Sequence, residues 1–150
     1  MKAIRFALDE CVVVVEYPAH AWLSPFAPRE LAVAVRAMAH TAANLTCSTS
    51  LSVDLHLVDD AAIQFANRKY MACAGPTNVL SFPGGDGMQG ILLFSLDTFG
   101  RECLLYGQEP ATHILRLLAH GMGHLAGLGH GAVMDTVCAA CFEAARVAVD

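Results

Sequence analysis

The sequence predicts one α+β domain in which a small mixed β-sheet packs with helices. Two observations predict this class. Short segments with apolar residues at every second position alternate with longer segments in which apolar residues recur every three or four positions. No internal repeat, linker or low-complexity tract divides residues 1–150, a length that can bury a core without disulfide bonds. We therefore expect the whole chain to form a single domain.

The first half of the chain contains three predicted strands and one helix. Residues 2–8 and 11–16 alternate or run apolar and β-branched, as over Val12–Val15, which is typical of strands. A loop is expected over Pro18–Pro28, followed by an amphipathic helix from Pro28 to about Asn44. Leu51–Val58 alternates apolar and polar residues and predicts the third strand.

The middle of the chain continues the alternation of helices and strands. Asp59 or Asp60 can cap a helix that ends near Tyr70, and Ala72–Pro76 follows as a loop. The next strand is predicted over Asn78–Phe82, where it is ended by the sequence Pro83, Gly84, Gly85.

The last part of the chain is mainly helical. Ile91–Leu96 predicts a buried strand, and Asp97 is expected to cap a helix that ends near Tyr106. Pro110 opens a further helix, and a last one is predicted over Val133–Val149.

Three histidines on and after the Pro110 helix predict a metal site. His120 and His124 are four positions apart, so both imidazoles leave the same helix face. Gly127 stands where a helix commonly ends, and the following residues can reverse the chain so that His130 meets the first two rings. Three converging imidazoles with one open position are typical of a catalytic zinc site. The alternative is a chance group of hydrogen-bonded histidines.

The histidine spacing also matches the zinc-protease pattern HExxHxxGxxH, with one difference. Gly121 occupies the position of the glutamate that acts as general base in those proteases. The sequence therefore predicts the metal ligands without the protease base, and Asp135 is either close to the site or a helix cap.

Composition excludes several functional classes. Hydrophobic residues make up 55% of the chain and the net charge is −5, which argues against a basic nucleic-acid clamp and against DNA as a partner. A few arginines and a metal ion could still hold RNA phosphates. No apolar run reaches the roughly eighteen residues that span a bilayer, and the N-terminus lacks a signal-peptide pattern. We expect a cytoplasmic protein without a membrane partner.

Six cysteines are scattered without a disulfide framework, so we expect reduced and mostly buried thiols. Cys138 and Cys141 form a CxxC motif within a helical pattern. Packing is the favoured interpretation of this pair, and a redox or second metal site is the alternative.

Two motifs resemble a known family. PTNVLSFP, over Pro76–Pro83, precedes HGMGHLAGLGH, over His120–His130, and together they resemble the YbeY family of metal-dependent endoribonucleases, also called rRNA maturation factors. LHLVDDAAIQFANRKY, over Leu55–Tyr70, is similar to the family's strand and helix, and GILLFS, over Gly90–Ser95, to its Gly-Asp strand. Met134 follows the third histidine much as in relatives.

The resemblance implies a zincin-like fold with one Zn²⁺ ion on His120, His124 and His130. It also implies cleavage of single-stranded RNA, processing of the 16S rRNA 3′ end, ribosome quality control and contact with the small ribosomal subunit. Zinc at such a site could act as a Lewis acid and lower the pKa of a bound water towards about 7.

The chain departs from the family pattern at several positions. Met71 replaces the arginine after the Asn-x-x-Tyr pattern, and Ile91 replaces the acidic residue after the strand glycine. Gly123 replaces a leucine, and Leu128-Gly129 replaces Tyr-Asp before the third histidine. The loss of an aspartate beside a ligand predicts weaker support for that ring.

Candidate catalytic cations are Arg68 and Arg116. Arg68 lies within one turn of Met71, although it could be a solvated helix end, and Arg116 lies four residues before His120, although its stem could simply pack on neighbours. Asn78, Ser81 and Phe82 are candidate substrate-binding residues on an edge strand, where Phe82 could stack on a base or belong to the core.

Three functional hypotheses follow. The first is a zinc-dependent endoribonuclease acting on rRNA. The second, motivated by Met71, Ile91 and Gly129, is a ribosome-associated metal-binding protein that cleaves slowly or not at all. The third is a metalloprotease, which Gly121 disfavours because peptide hydrolysis needs a base.

Overall fold

A five-stranded mixed sheet runs through the computed structural model, which describes residues 2–46, 51–84 and 90–150. The strands lie in the order β1-β2-β3-β5-β4, with β1 and β4 at the two edges. The outer pairs β1–β2 and β4–β5 are antiparallel, whereas β2–β3 and β3–β5 are parallel. The strand bounds are β1 Ile4–Leu8, β2 Cys11–Val15, β3 Val53–Val58, β4 Val79–Phe82 and β5 Gly90–Ser95.

Five α-helices complete the described fold and confirm the predicted α+β class. The segment expected to be a loop after Pro18 contains a short 3₁₀-helix over Pro18–Leu23. The fourth strand ends at Phe82, as predicted, and Gly85, one of the residues expected to end it, lies outside the described residues. The helix bounds are α1 Pro28–Leu45, α2 Asp60–Met71, α3 Leu96–Tyr106, α4 Pro110–Leu125 and α5 Ala132–Val149.

Helix capping differs from the prediction at α3. Asp59 caps α2 as expected, because its carboxylate accepts from the backbone N–H of Ala62 at 2.9 Å. The expected Asp97 cap of α3 is wrong. Ser95 caps this helix by accepting from Thr98 N–H at 3.2 Å, and Asp97 accepts from the backbone N–H of Asp60 at 3.0 Å. The Asp97 carboxylate, which the local sequence predicts as a cap of α3, therefore binds the N-terminal end of α2 instead.

The hydrophobic core lies between the sheet and helices α1, α4 and α5. Alternate residues of the central strands are buried in it, as a strand period of two requires, and α1 packs along α5. The buried strand residues include Val13, Leu55, Leu92 and Phe94.

The edge strand β4 is contacted by helices on both faces. Ser81 contacts α4 through Gly121, and Phe82 contacts α2 through Tyr70. Because neighbouring side chains on a strand point to opposite faces, α4 and α2 lie on opposite sides of β4.

The described cysteines are free thiols, as predicted, and the sixth, Cys47, lies outside the described residues. The expectation that most thiols are buried is wrong for the described cysteines, because only Cys11 and Cys141 lie in the core. Cys141 is buried in the core, and burial raises the pKa of its thiol to about 12. No helix in the described part of the chain has the length and apolar character needed to cross a bilayer.

Candidate metal centre

The three predicted histidines converge at the C-terminal end of α4. One ring nitrogen from each of His120, His124 and His130 lies within 4.8 Å of the others. The ring centroids are 4.7 Å apart for His120–His124, 5.6 Å for His120–His130 and 5.2 Å for His124–His130. His130 is exposed and the other two are half-buried, so the cluster opens to solvent on one side.

Backbone contacts orient the His124 ring. Its Nδ1 lies 3.1 Å from the carbonyl oxygen of Leu128, and because a carbonyl can only accept, Nδ1 is the donor. The Nε2 atom of neutral His124 then carries a lone pair and faces Nε2 of His120 at 3.1 Å. A backbone carbonyl that fixes the tautomer of a histidine in this way is typical of metal-ligating histidines.

The turn after α4 brings His130 to the cluster. Gly127 has φ +86°, a left-handed conformation that favours glycine. Its N–H donates to the carbonyl of His124 at 3.0 Å, and Leu128 N–H donates to the carbonyl of Gly123 at 3.1 Å. These two hydrogen bonds form a Schellman C-cap. The predicted role of Gly127 as the end of the helix is confirmed.

The electrostatics of the cluster favour the neutral form of the His120 imidazole. Burial lowers the pKa of His120, and the neighbouring His124 and His130 lower it further because a second positive charge would be repelled. Neutral imidazole is the form that binds a metal ion. The donor set, its spacing and its open side fit a borderline cation such as zinc with a free coordination position.

A sequence profile described as Endoribonuclease YbeY matches residues 25–137 of the chain. The chain belongs to the endoribonuclease YbeY family. Among its relatives, the Endoribonuclease YbeY of Nitratidesulfovibrio vulgaris is 41% identical over 150 aligned positions, covering 83% of this chain and 88% of the relative. That of Lawsonia intracellularis is 39% identical over 120 positions, covering 79% and 86%.

A solved structure supports the fold. A protein of Thermotoga maritima, determined in solution, superposes with a TM-score of 0.52 at 18% identity, covering 75% of this chain and 81% of the other. This similarity is evidence for the fold alone.

The second residue of the family's histidine motif packs against the sheet. A β-carbon on Gly121 would lie 2.9 Å from Cδ2 of Leu92 and 3.3 Å from Oγ of Ser81. The Ser81 hydroxyl also donates to the carbonyl of Gly121 at 3.0 Å. Position 121 therefore faces β4 and β5 at close range, and a protease-type glutamate would collide with the sheet there.

Asn78 is held by a polar cluster next to α4. Its amide Nδ2 donates to both carboxylate oxygens of Glu102, each at 3.2 Å. The same carboxylate lies 3.2 Å from Nε2 of His113, whose ring stacks on Phe99. His113 is thus a hydrogen-bonded histidine of α4. Glu102 was not predictable from the sequence, since its partners Asn78 and His113 are 24 and 11 residues away along the chain.

The two candidate cations lie in different surroundings. Arg116 is exposed, with its guanidinium carbon 5.9 Å from the centroid of the Phe142 ring on α5. Arg68 is exposed in the last turn of α2, near the half-exposed Met71 that ends this helix. Ile91 on β5 is paired with Phe82 on β4 and with Asp54 on β3.

Asp135 does not cap α5. The N-cap of this helix is Gly131, whose carbonyl accepts from the backbone N–H of Asp135 at 3.0 Å, and Asp135 lies exposed in the first turn.

Proposed function

We propose that this chain is a zinc-dependent endoribonuclease that cleaves single-stranded RNA, with His120, His124 and His130 as the metal ligands. The observation that carries the proposal is that one ring nitrogen from each of the three imidazoles lies within 4.8 Å of the other two. The chain also belongs to a family named for endoribonuclease activity. A zinc ion held there would supply a Lewis acid for an RNA phosphate.

The residues of the chain prepare this site before any substrate binds. The carbonyl of Leu128 holds His124 with Nε2 directed towards His120, and the surroundings of His120 keep its imidazole neutral. Preorganised ligands of this kind cost little reorganisation when a charged group arrives. The exposed side at His130 leaves room for a phosphate to approach.

Substrate positioning is proposed for the edge strand β4. Its outer side has no neighbouring strand in the described sheet, and α4 lies beside it. Of the three candidate residues, Phe82 offers an aromatic ring, whereas Asn78 and Ser81 already hydrogen-bond within the fold and would act mainly by shaping β4.

Positive charge for the transition state is proposed to come from Arg68, because Met71 cannot supply it. Arg68 is on the same helix end as Met71 and is exposed. Arg116 is the second candidate, and its guanidinium lies over the Phe142 ring of α5.

The cellular role is proposed from the family alone. We infer cytoplasmic processing of the 16S rRNA 3′ end and ribosome quality control, with the small ribosomal subunit as partner. The slow or inactive ribosome-associated variant is the second candidate, favoured by Met71 and Ile91 at positions where the family pattern has charged residues. The protease candidate is weakened further by the close packing of Gly121.

One experiment separates these candidates. Protein loaded with zinc is incubated with single-stranded RNA and, separately, with casein; RNA cleavage without casein cleavage is expected. Elemental analysis should find close to one zinc per chain, and His124→Ala should lose both zinc and cleavage while keeping its circular dichroism spectrum. His40→Ala, a change at an exposed histidine of α1, is the matched control and should keep both. Full zinc retention by His124→Ala would overturn the ligand assignment.

A further inference from the structure

An aromatic and cationic patch covers the exposed side of α2 next to the edge strand. The Lys69 ammonium lies 5.6 Å from the centroid of the Phe65 ring and 5.2 Å from that of Tyr70. Tyr70 in turn meets Phe82 of β4 edge to face, with the centroids 5.6 Å apart. We call these four residues, Phe65, Lys69, Tyr70 and Phe82, the α2 patch.

The rings of this patch are held at the surface. Phe65 is 63% exposed and Tyr70 is 60% exposed, which is unusual for large aromatic side chains. Lys69 and Arg68 place two positive charges in the last turn of the same helix. The acidic start of α2 is at the other end, where Asp60 is paired with Arg101.

The α2 patch is connected to the metal centre through β4. Phe82 is preceded by Ser81, whose hydroxyl donates to the carbonyl of Gly121, and Gly121 is the residue after His120. Ser81 and Phe82 point to opposite faces of an edge strand. A flexible polymer that contacts both the patch and the histidines would have to pass around the outer side of β4, which has no neighbouring strand in the described sheet.

We propose that the α2 patch binds unpaired nucleotides of a single-stranded RNA, with bases stacked on Tyr70 and Phe65 and a phosphate on Lys69. This inference rests on the proposed function, which it extends by a substrate-binding surface outside the metal centre. Exposed rings interleaved with cations are the usual platform for single strands, because every base has a flat face and every nucleotide a phosphate. The patch selects single strands, since the bases of a duplex are already stacked on one another.

The test measures binding and cleavage separately. Binding is measured by the fluorescence anisotropy of a short labelled oligouridylate, with each patch variant combined with His124→Ala so that the RNA stays intact. KM and kcat are measured with the same patch variants that retain His124. Phe65→Ala and Tyr70→Ala should each weaken binding and raise KM roughly 5- to 150-fold, the usual effect of losing one stacked base. The value of kcat should change little, and Tyr70→Phe should restore binding.

The role of Lys69 has its own readout. Lys69→Ala should reduce the slope of log affinity against log salt by about 0.7, the value for one phosphate contact on a single strand. A change in packing alone would not alter that slope. Tyr106→Ala, which removes another ring that is 69% exposed at the end of α3, is the control and should behave like the parent.

The outcomes distinguish this proposal from the proposed function. Unchanged affinity and KM in Phe65→Ala and Tyr70→Ala, with RNA cleavage intact, would overturn the α2 patch and leave the nuclease assignment standing. Equal affinity for a duplex of the same length would also overturn it. Loss of RNA binding in these variants of a chain that cleaves no RNA would support the patch and reject the nuclease assignment.

Discussion

Gly123 on α4 and Met134 on α5 are packed so closely that a side chain at position 123 would have to displace the Met134 thioether. A β-carbon at position 123 would lie 2.6 Å from Sδ of Met134 and 3.1 Å from Sγ of Cys138. Met134 is buried, and its polarizable thioether fills the space above the glycine. Next to His124, the Met134 thioether thus occupies the space that a side chain at position 123 would need.

We predict that Gly123→Leu destabilises the fold. The new side chain must displace Met134 or α5, and such overpacking costs about 1–3 kcal/mol. Urea unfolding should show the loss as a lower midpoint. Adding Met134→Ala to Gly123→Leu should recover part of it, whereas Met134→Ala alone should also destabilise by leaving a cavity. An unchanged midpoint in Gly123→Leu would contradict this packing.

Restoring the arginine of the family pattern should raise nuclease activity. Met71 ends α2 and is 40% exposed, so Met71→Arg can be accommodated without repacking. A positioned cation is worth about one to three orders of magnitude in rate, and kcat/KM for single-stranded RNA should rise by that amount. Met71→Gln, a polar change without charge, is the control. An unchanged kcat/KM in the zinc-loaded variant would mean that Arg68 or Arg116 already supplies the positive charge, or that the chain does not cleave RNA.

The turn between the second and third histidines should control metal affinity. Gly127 has φ +86°, so Gly127→Val strains the backbone by roughly 1–2 kcal/mol or more. The change would also disturb Leu128, whose carbonyl holds His124, so zinc should bind more weakly. Gly129 has open space around a β-carbon, and Gly129→Asp should give His130 a carboxylate neighbour.

Zinc titration against a competing chelator measures both changes. Gly129→Asp is expected to bind about ten times more tightly than the parent, because a carboxylate beside a ligating histidine supports the ring. The expected order is Gly129→Asp tightest and Gly127→Val weakest. Any other order would show that the turn does not position the third ligand.

Acid should weaken the junction between α2 and α3. Burial raises the pKa of Asp60, but hydrogen bonds from Arg101, Thr98 and Ser95 lower it by more, so the net shift is downward. A carboxyl whose pKa is lower in the folded state stabilises the fold above its ordinary pKa of about 3.9, and this contribution is lost as the pH falls through the lowered value.

Chemical unfolding at several pH values tests this junction. The difference in the free energy of unfolding between the parent and Asp60→Asn should be greatest near neutral pH and should shrink below about pH 4. Asp150→Asn is the matched control, since the Asp150 side chain is 76% exposed. The difference in the free energy of unfolding between this variant and the parent should change little with pH. A constant difference across the pH range would contradict the assigned role of Asp60.

The histidine cluster is a property that the sequence by itself determined. His120 and His124 share a face because of helix geometry, and Gly127 ends that helix because only a residue that accepts positive φ fits there. The sheet strands were likewise predictable from alternation, which reports burial on one face. All of these depend on neighbours within a few positions.

Only the tertiary structure decided which distant residues meet. Asp97 hydrogen-bonds to the backbone of α2 instead of capping α3. Gly121 packs against Leu92 and Tyr70 contacts Phe82, because β5 lies between β3 and β4 in the sheet. Strand order depends on how the whole chain buries its apolar faces, and no local period encodes it. The convergence of the three histidines could therefore be predicted from spacing, whereas the packing of α4 and α5 and the α2 patch required the fold.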